Sequence, residues 1–350
     1  MDAEDDDPDT CGSREEPPPA TGGPRPFTGL GPERVLDSLE AAGLECDGRL
    51  QALNSFENRV YLVGLEDGSS RVAKFYRPGR WTDDQILEEH AFAAELAEAE
   101  IPVVAPLPLA DGRTLFDADG YRIAVFPRQG GRVPELDNVR DGPAMRDRIG
   151  QFIARIHNVG ARARFRRRPA IDPTTHATEP IAAILASRML PADLSDAWTS
   201  VATQCADRIS ARFAALGDVA RLRVHGDCHL GNLLWTDDGP HFVDLDDARN
   251  GPAMQDLWML ADAGAAMPDE HVSASAELTE LIDGYERIRD FDRRELSLVE
   301  PLRTMRMLHY SAWLAQRWED PAFPVAFPWF GTNRYWQDQI LSLREQLGQI

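Results

Sequence analysis

The strongest constraint in this chain is one stretch, Arg223-Val-His-Gly-Asp-Cys-His-Leu-Gly-Asn232, followed after a short hairpin by His241-Phe-Val-Asp-Leu-Asp-Asp247. Its apolar flanks read as strands, the residues between them as a tight loop, and the second strand ends in a cluster of carboxylates. Asp, Asn and Gly are common in turns, and a lone His-Gly-Asp would be an ordinary hairpin. Here Asn232 stands five positions after Asp227, and Asp244 closes an apolar strand with Asp246 and Asp247 beside it. This set offers one proton acceptor, Asp227, and two oxygen ligands for a hard cation, Asn232 and Asp244. With a positive charge on the phosphates, phosphoryl transfer from a nucleotide needs little more.

The His-Gly-Asp-x-x-x-x-Asn spacing repeats that of the protein-kinase catalytic loop. The positive charge is found through composition. Lys and Arg together number 37, yet Lys74 is the single lysine. A chain that uses Arg for every other cation keeps Lys where a compact ammonium on a flexible stem is required. Lys74 lies in Arg71-Val-Ala-Lys-Phe-Tyr76, an alternating strand pattern suited to pairing with nucleotide phosphates.

At 350 residues the chain is long enough for about two domains. A net charge of -21 argues against nucleic-acid binding, because phosphates would be repelled. No apolar run approaches the ~20 residues of a membrane span, and the start of the chain is acidic. The four cysteines, Cys11, Cys46, Cys205 and Cys228, have neither disulfide-framework nor metal-ligand spacing. These features suit a cytoplasmic protein without a membrane anchor, and a monomer is expected. Cys228 and His229 lack a second pair at ligand spacing, so a zinc site is not expected.

Residues 1–27 carry Asp5-Asp6-Asp7 and Pro17-Pro18-Pro19 and read as a disordered acidic tail. Residues 28–127 are expected to form a first lobe. A short helix at 31–43 precedes strands at 50–53, 58–63 and 70–75, with a hairpin turn at Glu66-Asp-Gly-Ser69. The loop Asn54-Ser-Phe-Glu-Asn58 lies where a loop would cover the phosphates. Ser55 and the amides leading to Asn58 are candidate phosphate ligands. A helix capped by Thr82 runs over 81–98, and one of Glu88 and Glu89, with Glu89 preferred, is expected to orient Lys74. Strands at 103–109, 114–116 and 121–126 complete the sheet. The break at Phe126-Pro-Arg-Gln-Gly-Gly131 reads as a hinge, where backbone groups of Val125 to Pro127 would face adenine. Residues 128–350 are expected to form a second, mostly helical lobe, with a central helix at 145–157 and others at 181–188, 193–216, 256–266, 274–287 and 301–318. The Met- and aromatic-rich stripe of the last reads as core. The segment 318–336 reads as ordered aromatic-proline structure over the cleft or the lobe.

The loop 225–232 resembles that of the aminoglycoside-phosphotransferase-like kinases. More narrowly, four segments resemble the bacterial stress response kinase A (YihE/RdoA-type) protein-kinase family. They are Leu53-Asn-Ser-Phe-Glu-Asn-Arg-Val-Tyr61, the run from Ala73 to His90, Phe242-Val-Asp-Leu-Asp-Asp-Ala-Arg-Asn-Gly-Pro252 and Asp256-Leu-Trp-Met-Leu260. The resemblance implies an α+β, bilobal protein-kinase-like fold. It also implies a cytoplasmic enzyme that uses ATP and Mg²⁺ to phosphorylate Ser/Thr of proteins, itself included, in survival of stress, opposing toxin–antitoxin and oxidative cell death. By the same resemblance Asp227 accepts the proton, Asn232 and Asp244 bind Mg²⁺, Lys74 holds the phosphates and Ser55 contacts ATP. Asp244-Leu-Asp replaces the Asp-Phe-Gly of ordinary protein kinases, and no Ala-Pro-Glu signature follows. Two rivals remain: a kinase of a cationic small alcohol, for which Asp246, Asp247 and Asp256 would supply an acidic cleft, and an inactive module that sequesters a partner.

Overall fold

The computed structural model describes residues 26–261 and 275–350. The acidic tail up to residue 25 and residues 262–274, which include the end of the helix expected at 256–266, lie outside the described residues. Pro26 and Phe27, assigned to the tail from sequence, belong to the folded part: the Phe27 ring stacks on Tyr121 at 5.9 Å.

The N-lobe begins with α1 (Pro32–Glu40), started by Pro32 and burying Val35 and Leu39. β1 (Cys46–Ala52), β2 (Arg59–Leu65) and β3 (Ser70–Phe75) follow as an antiparallel meander. Gly68, at φ +82°, makes the β2–β3 turn where a side chain would be strained. α2 (Asp83–Glu98) starts at Thr82, whose hydroxyl accepts the Gln85 N–H while the Gln85 side chain returns to the Thr82 N–H. β4 (Phe116–Ala118) and β5 (Tyr121–Pro127) finish a five-stranded sheet in the order β1-β2-β3-β5-β4. The strand expected at 103–109 does not form. Only Val103 makes a bridge, to Phe242, and the prolines at 102, 106 and 108 withhold the N–H groups a ladder needs. α2 spans both lobes, because Phe92, Ala93 and Leu96 pack into the second core rather than under the sheet.

The C-lobe is mostly helical: α3 (Gly142–Gly160), α4 (Glu179–Ser187) and α5 (Ala192–Leu216), then α6 (Gln255–Ala261), α7 (Ala276–Glu286), α8 (Val299–Arg317), α9 (Ala322–Ala326) and α10 (Asn333–Gln349). Between α5 and α6 lie four short strands. β6 (Leu222–Val224) pairs with β9 (Arg249–Gly251), and β7 (Leu233–Thr236) with β8 (Gly239–Phe242), so that two antiparallel pairs frame the catalytic-loop candidate. The helix α10, not anticipated from sequence, buries Trp336 against Trp198 of α5. Among the described residues no helix is long and apolar enough to cross a membrane.

α3 is the central helix, as its apolar face implied, and two glycines set its approach to α7. A Cβ on Gly150 would lie 2.1 Å from the Leu281 carbonyl oxygen, and one on Gly284 would lie 2.0 Å from that of Asp147. The backbones therefore touch with no room for a methyl group. Gly150→Ala is expected to cost about 3 kcal/mol through overpacking, measured as a lower urea midpoint with an unchanged slope.

Candidate active site

The loop after β6 is shaped by a buried carboxylate. Asp256, 1 % exposed, accepts the N–H of His225 at 2.7 Å and of Gly226 at 2.9 Å. It also meets the imidazole Nε2 of His157 at 3.0 Å, and the other ring nitrogen of His157 bonds Tyr285 at 2.9 Å. Burial alone would raise the Asp256 carboxyl, but the bond to His157, the His157 and His225 imidazoles and the Gly226 N–H together prevail and hold the group below the usual carboxylate range. Gly226 has φ +87°, and a Cβ there would meet the Asp247 carbonyl at 2.0 Å, so only glycine fits. His225 donates from Nε2 to the Val243 carbonyl at 2.9 Å, fixing the loop to the segment after β8 that carries the acidic cluster.

On this scaffold Asp227 and Asn232 stand together. The Asn232 amide nitrogen donates to the Asp227 carbonyl at 2.9 Å, which leaves its Oδ1 as a free oxygen donor in the cleft. The Asp227 carboxylate receives Arg306 of α8 at 2.6 Å and lies 3.4 Å from His229 Nε2. Burial opposes ionisation, but the His229 bond and the Arg306 charge prevail and hold its pKa at about 2. The His229 ring also accepts the Gly231 N–H, so it orders the loop it belongs to.

Lys74 reaches this region from the opposite lobe. Its Nζ lies 2.8 Å from Asp244 and 3.4 Å from Asp246. Burial favours the neutral amine, yet these two carboxylates outweigh it and raise the ammonium well above the ordinary lysine value. Asp244 sits in the left-handed region at φ +59°, a conformation that Asp tolerates better than most residues. Glu88 and Glu89 separate clearly. Glu88 turns out to the arginine-rich segment and accepts the N–H groups of Arg166, Arg167 and Arg168. Glu89 is the inward residue, 2 % exposed and 3.8 Å from Arg168, but the ion pair with Lys74 expected of it does not form, because Asp244 and Asp246 hold the ammonium instead. Burial pushes its pKa up to about 7.

These groups line one cleft of about 700 Å³. It brings together Ser55, Asn58, Lys74, Glu89, Pro127, Asp227, Asn232 and Asp244, all of them positions singled out from sequence. Val125 is outside it: its side chain packs in the N-lobe core and its carbonyl accepts the Leu107 N–H, so the expected adenine contact falls to Phe126 and Pro127. Asn58 lines the cleft with its amide already engaged, donating to Asp246 at 3.1 Å and accepting the Arg77 N–H at 3.0 Å. Val60, Val72, Leu234 and Val243 form an apolar slot beside Phe126.

Sequence reasoning missed the arginines. Arg80 joins Asp246 and reaches Asp247 at 2.7 Å, and Arg249 reaches Asp247 at 3.2 Å. The acidic cleft that the rival reading would draw from Asp246, Asp247 and Asp256 is not available as such: two of these carboxylates are paired with arginines and the third is buried under the loop. The stripe of α8, read as core, is in part core at Leu302 and Met305, but its continuation through Arg306, His309, Tyr310 and Trp313 walls the cleft. The helical spacing of these residues was visible; which lobe they faced was not.

The chain belongs to the phosphotransferase enzyme family, whose model matches residues 49–298, and it is a kinase. Within that family it is a member of the bacterial stress-response kinases. It is 43% identical over 320 residues to stress response kinase A of Escherichia coli O157:H7, covering 91% of this chain and 93% of that protein. The same figures hold for the serine/threonine protein kinase RdoA of Salmonella typhimurium. Solved structures share the fold. Amicoumacin kinase hAmiN, in complex with AMP-PNP, Ca²⁺ and Ami, matches with a TM-score of 0.70 at 19% identity over 90% of this chain and 92% of its own. A spectinomycin phosphotransferase bound to ADP and spectinomycin matches with a TM-score of 0.59 at 14% identity over 91% and 98%. The bilobal kinase-like α+β architecture expected from sequence is the observed one.

Arg306 lowers the pKa of Asp227, so its removal raises it. In Arg306→Ala the carboxylate protonates at higher pH, and the acidic limb of the kcat/KM–pH profile is expected to move upward while the alkaline limb stays.

Proposed function

We propose that the chain is an ATP- and Mg²⁺-dependent Ser/Thr protein kinase, acting on protein hydroxyls including its own, in a stress response. The observation that carries this reading is the meeting of Lys74 from the N-lobe sheet with Asp244 at 2.8 Å, in the same cleft as Asp227 and Asn232. Adenine would lie in the slot of Val60, Val72, Phe126 and Leu234, with the phosphates running toward Lys74. Mg²⁺ suits the donor set. Asp244 and the Asn232 Oδ1 are hard oxygen donors, and the buried Asp246 Oδ1 has no hydrogen-bond partner. This ion is commonly held by one or two carboxylates together with substrate phosphates. Once bound it neutralises charge on the phosphate oxygens.

The remaining work falls to the protein. Arg306 leaves Asp227 as an acceptor hydroxyl arrives, and the freed carboxylate takes the hydroxyl proton. The hydroxyl oxygen forms its bond to the γ-phosphorus while the bond to the β–γ bridging oxygen breaks, releasing ADP. Lys74, shifting from Asp244 to the phosphates, offsets the charge on the transferring group. Ser55 and the backbone of its loop would cover the phosphates.

Protein rather than small cationic acceptors are supported in two ways. A relative at 43% identity bears the name serine/threonine protein kinase. The carboxylates a cationic alcohol would need are paired with Arg80 and Arg249.

The test is incubation with Mg-ATP and a generic protein acceptor, followed by phosphopeptide mass spectrometry, beside a panel of cationic alcohols. Phosphoserine or phosphothreonine is expected, and transfer to the alcohols alone would overturn the reading. Asp227→Ala is expected to lower transfer by about 10³-fold with ATP still bound. Lys74→Arg, despite equal charge, is expected to lower kcat by about tenfold or more, because a planar guanidinium does not replace a compact ammonium.

A further inference from the structure

The loop from Leu53 to Asn58 carries no glycine, and it lies over the cleft with few bonds to its own sheet. Its stiffness comes from elsewhere. The Glu57 carboxylate receives Arg317 Nε of α8 at 2.9 Å and the indole N–H of Trp313, and it also lies 3.0 Å from Arg77 Nε. Arg77 donates in addition to the carbonyls of Phe56 and Glu57, at 3.1 and 2.9 Å, and to Asp320 at 2.8 Å. Arg59 adds a second link to Asp320 at 3.1 Å. The Phe56 ring packs on Phe327 at 5.0 Å. Asp320 is 3 % exposed and Arg77 7 %, so these are ion pairs in a low dielectric rather than exposed pairs of small value.

The geometry has a directional consequence. A peptide unit is planar, so pinning the carbonyls of Phe56 and Glu57 also sets the directions of the N–H groups of Glu57 and Asn58. Those N–H groups belong to the stretch that would face the phosphates. The pins are tied in turn to α8 and to the segment carrying Asp320, both in the C-lobe.

We propose that Glu57 is the positioning residue of the phosphate-binding loop. Through Arg317, Trp313 and Arg77 it couples the grip on the nucleotide's phosphates to the docking of the C-terminal helices on the N-lobe. The proposal rests on the reading that this cleft binds ATP. It assigns a role in recognition of polyphosphate to Arg317 and Asp320, at and just beyond the end of α8, which do not line the cleft.

The test is calorimetric binding of ATP and of adenosine to the full-length wild type, Glu57→Gln, Arg317→Met and the double variant, with Trp313→Phe as a milder change that keeps ring packing. ATP affinity is expected to fall roughly tenfold in either single variant, with adenosine affinity unchanged. The double variant is expected to be no weaker than the worse single one, since both cut the same link. Trp313→Phe should show a smaller loss of the same kind. Unchanged ATP affinity, or equal losses for ATP and adenosine, would make Glu57 a purely structural residue and overturn the proposal. Failure of the wild type to bind ATP would instead refute the kinase reading on which the proposal rests.

Discussion

A lysine charge is buried where the two lobes meet, and the site is built around keeping it ionised. Removing an ammonium from water costs several kcal/mol unless opposite charges surround it, and Lys74 is 6 % exposed. The carboxylates of Asp244 and Asp246, which reach it from the turn between β8 and β9, meet that cost. They would repel each other and Asp247 without Arg80 and Arg249. The result is an alternating lattice of charge in which each member makes its neighbour's burial tolerable.

A second constraint runs beneath the catalytic loop. Asp256 accepts two successive backbone N–H groups, of His225 and Gly226, and is itself steadied by His157 and Tyr285. The loop is thereby referenced to α3, whose close contact with α7 leaves no space at Gly150 or Gly284. Packing of the helical lobe thus reaches the carboxylate of Asp227 through three links: helix contact, His157 to Asp256, and Asp256 to the loop. The pairing of Asp227 with Arg306 is of another kind, since Arg306 is partly exposed to solvent.

Much of this was legible in the chain as written. Alternation marked β2, β3 and β5, the Thr82 cap marked the start of α2, and the spacing from Asp227 to Asn232 to Asp244 marked residues that the fold does bring into one cleft. Local rules suffice there, because strand period, cap chemistry and loop spacing act within a few residues. Other features were not legible. The run 103–109, a continuous apolar stretch, was expected as a strand, but its prolines prevented a ladder. Glu88 and Glu89 are neighbours on one helix, and only the position of the 166–168 segment separates them. The acidic trio at 246, 247 and 256 looked like an open cleft because its counter-charges, Arg80 and Arg249, act from other elements.

The sequence by itself determined which residue types the chain brings to its cleft: one lysine in a strand, Asp227, Asn232 and Asp244 at set spacing, and a hydrophobic pattern that separates a sheet from a helical lobe. Those are properties of residue type and short-range order. The tertiary structure alone decided which charges would be paired and which left available, that α8 would wall the cleft and hold Glu57, and that Val125 would turn into the core. Pairing energies in a low dielectric depend on distances between residues remote in sequence, and only the folded chain sets those distances.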